Sequence, residues 1–115
     1  MKTEALTANE FQQLVKRKTN GGRKQTPEHA VLNDVRDFLR LNGYKVVRIH
    51  QSLGSEKGIP DLVAIREGRH VWIECKAPKG YVSDVQQAWL QDLEDHGGSY
   101  VVAKSVKDVE QLARR

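Results

Sequence analysis

Hydrophobic positions recur along the chain with two different periods. Val31, Leu32, Val35, Phe38 and Leu39 fall at helical spacing and give one apolar face. Thr26-Pro27-Glu28 precedes them with an N-cap threonine and a proline at the first helical position, and Asn42-Gly43 follows as a stop. Short runs rich in β-branched residues come next, over residues 44–50, 58–65, 71–76 and 99–103, and predict strands. Between the last two, Ser83 and Gln86 form a capping-box pair opening a helix whose stripe is Val85, Ala88, Trp89 and Leu93, ended by Gly97-Gly98. Ser105 is placed to cap a closing helix bearing Val109 and Leu112. The order αβββαβα predicts an α/β domain with a mixed sheet of the α+β kind over residues 26–115. Residues 1–25 read as an N-terminal arm, part helical and part flexible. Thr7 and Glu10 can box the start of a short helix with Phe11, Leu14 and Val15 on one stripe, and residues 19–25 read as a linker. Tethered through Gly21-Gly22, that stripe has no evident place in the core and is a candidate for contact with a second copy.

The chemistry concentrates at the second and third strands. Arg66-Glu67-Gly68-Arg69 between them is short, polar and contains glycine, so the strands should pair antiparallel and bring Asp61 alongside Glu74. Glu74 and Lys76, at i and i+2, point to one face, ~6.6 Å apart along the strand. Two carboxylates and an ammonium at one sheet edge suit a hard divalent cation such as Mg²⁺, which binds through one or two carboxylates and keeps waters that a phosphate can replace. The plainer reading is a surface ion pair of Lys76 with a neighbouring acid, which contributes little and needs no such cluster. Glu28, four residues before Leu32, falls on the apolar helix face, where a carboxylate needs a partner. It is either favourably placed at a helix N-terminus or a third acidic group of the site. Gln86 is either a cap partner or a side chain aimed at the site, and Trp89 reads as a packing anchor.

Composition narrows the function classes. A chain of 115 residues with 38% hydrophobic and 30% charged residues is one globular domain. The formal net charge of +4 permits nucleic-acid binding without demanding it. Lys16, Arg17, Lys18, Arg23 and Lys24 cluster with no acid between them, either as a solvated arm or as phosphate contacts. Arg48, Lys57 and Lys79 border the proposed site in sequence and could meet a DNA backbone. Cys75 is the one cysteine, so no intramolecular disulfide forms, and neither a signal peptide nor a membrane span is legible. An intracellular, cytoplasmic location is expected; a viral chain working in a host cell would share it. His29, His50, His70 and His96 have no common ligand spacing.

Pro60-Asp61 followed by Glu74-Cys75-Lys76 resembles the PD-(D/E)XK nuclease signature. Ser83-Asp84-Val85-Gln86-Gln87-Ala88-Trp89 is similar to its virus-type replication-repair branch, the VRR-NUC domain, and the likeness runs from about Thr26 to Leu112. The resemblance implies a PD-(D/E)XK core and a Mg²⁺- or Mn²⁺-dependent endodeoxyribonuclease with Asp61, Glu74 and Lys76 as its catalytic set. It implies Asp61, Glu74 and the backbone carbonyl of Cys75 as metal ligands, helped by Glu28 because the family places a glutamate in its first helix. Lys76 would position the attacking water, and Gln86 would touch substrate. Short, free-standing members look like dimeric Holliday-junction resolvases, so a homodimer cutting four-way junctions is the first expectation. A flap or single-strand nuclease and a non-catalytic DNA-binding module are the alternatives.

Overall fold

The structure, a computed structural model, describes residues 5–18, 25–52 and 54–114, with residues 16–18 by their backbone alone. Residues 19–24 of the linker, with the basic Arg23 and Lys24, lie outside the described residues, as do the side chains of Lys16, Arg17 and Lys18.

Helix α1 (Ala8–Lys18) opens with the expected reciprocal cap: Glu10 N–H donates to Thr7 Oγ1 at 3.1 Å and Thr7 N–H to Glu10 Oε1 at 2.9 Å. Helix α2 (Pro27–Leu41) begins at Thr26, whose hydroxyl accepts from His29 N–H, and buries Val31, Leu32, Val35, Phe38 and Leu39, the whole of the stripe read from sequence. Strands β1 (Lys45–Arg48), β2 (Leu62–Arg66), β3 (Arg69–Cys75) and β4 (Tyr100–Ala103) form one sheet in the order β1-β2-β3-β4. The first two pairings are antiparallel and β3–β4 is parallel, with α3 (Asp84–Asp95) as the crossover. This is the mixed α/β architecture expected.

A two-residue turn, Glu67-Gly68, joins β2 to β3 with φ of 52° and 80°. Positive φ at both positions gives the turn a twist that matches the strands and locks their register. That register pairs Leu62 with Ile73.

Alternation along the strands divides the sheet into two faces. Leu62, Ala64, Val71, Ile73, Cys75 and Ala103 share a core with α2 and the closing helix. Val63, Trp72 and Glu74 face the other way, and Trp72 meets Trp89 of α3 with ring centroids 5.0 Å apart. The closing helix (Val106–Ala113) is 3₁₀ throughout, and Ser105 makes no side-chain cap. Asp108, in its first turn, instead accepts from Lys104 N–H, just before the helix, at 2.8 Å.

Two expectations about apolar stripes are corrected. Phe11 is not kept for a second copy: it is 2% exposed and packs edge-on against Phe38 at 5.7 Å. The arm is tied down by polar bonds as well, Leu6 N–H to Asn42 Oδ1 and Ala8 N–H to Glu110 Oε2. Leu14 stays exposed over a groove of about 340 Å³ lined also by Val15 and Leu41. Phe11→Ala should therefore lower unfolding stability by about 3–5 kcal/mol, read by urea denaturation. In α3 half of the expected stripe holds: Trp89 and Leu93 are half-buried beside the buried Leu90, while Val85 and Ala88 are exposed. The helix is turned so that Gln86, one turn before Leu90, faces the sheet.

Candidate active site at the end of the β2–β3 pair

The paired register ends at Leu62–Ile73, and Asp61, the residue before it, is close enough to Glu74 for its charge to act on that acid, the neighbourhood the hairpin predicted. Asp61 N–H donates to Ile73 O at 3.1 Å, and Cys75 N–H donates to Asp61 Oδ2 at 2.8 Å. One carboxylate oxygen is thus fixed by backbone, which leaves Oδ1 for a further partner.

Glu74 is 1% exposed. Its Oε2 accepts from Gln86 Nε2 at 2.8 Å and lies 3.3 Å from Lys76 Nζ. Its Oε1 is buried and has no hydrogen-bond partner. A buried carboxylate oxygen without a donor is costly, so a structure retaining one either sacrifices stability or receives a ligand there.

The electrostatics follow from this enclosure. Burial pushes the Glu74 carboxyl up to about 7 from an ordinary 4.5; the neighbouring Asp61 charge adds to the rise, and the Lys76 ammonium opposes it. Asp61 is raised as well, by burial first, against the pull of the Cys75 N–H; Glu28 adds to the rise, while Arg48 and Lys76 counter it. Burial and the two carboxylates likewise raise the Cys75 thiol, which is buried and unpaired and stays protonated.

Glu28 departs from expectation. It is exposed, because burial on α2 begins only with Val31 and the first turn projects past the packed part of the helix. Helix α2 also covers the sheet face opposite Glu74. Glu28 is still close enough for its charge to act on both Asp61 and Glu74. Among the described residues, no three His, Cys, Asp or Glu side chains are gathered tightly enough to hold a metal ion. The donor set is therefore two carboxylates, with Glu28 at the margin.

Both readings of Gln86 hold together. Its Oε1 accepts from Ser83 N–H at 3.0 Å while Nε2 reaches Glu74, so the amide that caps α3 also orients the site carboxylate. Gln86 thus bears on the site through Glu74. Arg48 is exposed at the end of β1, close enough to Asp61 for its charge to lower that acid's pKa, and Lys57 and Lys79 are exposed on turns. His50, His70 and His96 are exposed outside this cluster.

The sequence did not reveal how the loop before Pro60 docks. Gly58 has φ of +85°, and a Cβ there would lie 2.6 Å from Val85 O. Only glycine permits the loop carrying Lys57 to lie so close to the first turn of α3. The visible signal was Gly58 two residues before Pro60, readable as a turn but not as a close approach.

The sequence profile of the VRR-NUC domain matches residues 7–107. No curated protein gives a significant match. Among solved structures, a VRR_NUC domain protein aligns at 24% identity with a TM-score of 0.50, covering 95% of this chain and 86% of that one, and it shares the fold.

Proposed function

Because the chain belongs to the VRR-NUC family and so carries a nuclease-type domain, we propose that it is a metal-dependent DNA endonuclease cutting branched DNA, four-way junctions first, as a homodimer. The observation that carries this reading is the buried Glu74 with its unpartnered Oε1 beside Asp61. Asp61, Glu74 and the carbonyl of Cys75 would hold Mg²⁺ or Mn²⁺, and the donor chemistry fits: hard oxygens from two carboxylates, few enough that waters and a phosphate complete the shell. When bound, the ion supplies charge stabilisation at the scissile phosphate and a more acidic water.

The chain's own residues do the rest. The Cys75 N–H fixes the Asp61 carboxylate, and Gln86 fixes one oxygen of Glu74, so the free oxygens keep a constant relation. Lys76, 12% exposed, has its ammonium on the site face beside Glu74 and is positioned to hold a water towards a phosphate. Arg48, Lys57 and Lys79 supply charge for the DNA backbone, a contribution that weakens as salt rises. Paired incisions in opposed strands of a junction call for two sites related by a two-fold axis. Cys75 as an enclosed thiol suits a reducing, intracellular setting.

The test is a cleavage panel with Mn²⁺ and with chelator, on a four-way junction, a flap, a linear duplex and a single strand. Paired nicks on the junction, faster than any cut on duplex, are expected. Preference for flap or single strand would shift the substrate, and metal-independent binding without any cut would replace the reading with a DNA-binding module.

A further inference from the structure

We infer that Tyr81 is a stacking platform for an unpaired nucleobase next to the phosphate cut at Glu74. This rests on the nuclease reading and adds the feature the DNA must present, a base already free of its stack.

Tyr81 is 86% exposed, the most open large apolar side chain among the described residues. Five of the other aromatic rings are engaged, Phe11 with Phe38, Trp72 with Trp89, and Tyr44 under the Arg66 guanidinium with its hydroxyl on Leu112 O, and Tyr100 is half-buried on β4. Exposure of a single ring is commonplace and by itself says nothing. Its place in the chain carries the argument.

Gly80 N–H bonds to Ala77 O at 2.8 Å, and a Cβ on Gly80 would lie 3.6 Å from Lys76 Cβ. The turn therefore folds back onto the lysine, and Tyr81 leaves from that point, one Cα step of about 3.8 Å further on. Two residues later Ser83 caps α3, and through the same cap Gln86 reaches Glu74. Tyr81 is thus held on both sides by residues anchored to the site, while its side chain stands open to solvent. Lys79 lies two residues before it and the exposed Val85 four residues after it, and Gly58 brings the loop carrying Lys57 against Val85.

A flat aromatic surface among phosphate-binding cations is the arrangement that receives unpaired bases, since every base has a π-face to stack. Bases within a duplex are already stacked on their neighbours and have no face to give. A branch point, flap or single strand has one. Only the ring is required, so phenylalanine should serve as well as tyrosine.

The experiment places 2-aminopurine beside the branch point of a flap, with a matched linear duplex, and measures fluorescence quenching and Kd in chelator for wild type, Tyr81→Ala and Tyr81→Phe. Wild type and Tyr81→Phe are expected to quench the probe on the flap. Tyr81→Ala should lose the quenching and bind the flap about 5- to 150-fold more weakly, with duplex affinity and the salt slope unchanged. Unchanged quenching in Tyr81→Ala, an equal loss on duplex, or a Tyr81→Phe as weak as the alanine variant would each overturn the inference. Mn²⁺-dependent cleavage of the same DNAs by wild type separates the two readings. Cutting of the flap, or of a four-way junction run beside it, without a Tyr81 effect on quenching refutes the platform alone, and no cutting of flap or junction refutes the nuclease while the quenching still decides the platform.

Discussion

Glu74→Gln is expected to abolish cleavage, by about a thousandfold or more, while making the metal-free protein more stable than wild type at neutral pH. The loss of activity follows from removing a hard anionic oxygen, a change of several kcal/mol in transition-state stabilisation. The gain in stability follows from burial. In the folded chain Glu74 keeps its proton up to about pH 7, against an ordinary 4.5 when unfolded. Between these values the folded state binds more protons than the unfolded state, so stability of the metal-free wild type falls as pH rises through that window. Glutamine has no charge to expose or bury and keeps an oxygen for the Gln86 amide. Melting curves from pH 4 to 8 in chelator should show the two proteins close together at the acid end and the variant higher at pH 8. A variant less stable than wild type at every pH would mean that Glu74 is a structural anchor.

Lys76→Arg is expected to lose about 10²- to 10⁴-fold in cleavage, the range of a positioned proton-transfer or water-orienting group. Charge is conserved, so the loss isolates geometry. The lysine ammonium is a compact point donor, 3.3 Å from the Glu74 oxygen that Gln86 also holds. A guanidinium carries a fork of donors suited to both oxygens of one carboxylate. It would take the free Oε1 as well, and so weaken Mn²⁺ binding as well as cleavage. Single-turnover cleavage and Mn²⁺ titration, run together, check this. An arginine variant cutting at wild-type rate would reduce Lys76 to a general source of positive charge.

The site was legible in sequence where local rules determine it. Asp61 close to Glu74 follows from a two-residue turn between antiparallel strands, and Glu74 with Lys76 from the period of two. The α2 stripe was legible too, because a strong apolar period with a cap and a stop leaves one solution. Phe11 was misjudged because the glycines of its tether say nothing about where an apolar stripe lands, and only Phe38 and Asn42, distant in sequence, settle it. The α3 stripe was legible at Trp89 and Leu93 but not at its start, for a chemical reason: a polar Gln86 lies on the inward side, drawn there by Glu74, so apolarity alone points to Val85 and Ala88 instead. Glu28 lies on the expected helix face but one turn too early for anything to cover it.

A Mn²⁺ titration followed by electron paramagnetic resonance, on metal-free wild type, Asp61→Asn and Glu74→Gln at pH 6 and pH 8, tests the proposed metal site most directly. Saturable binding by wild type is expected, tighter at pH 8 because the Glu74 proton must leave, with loss of that binding in both variants. Wild-type affinity in Glu74→Gln would contradict that site.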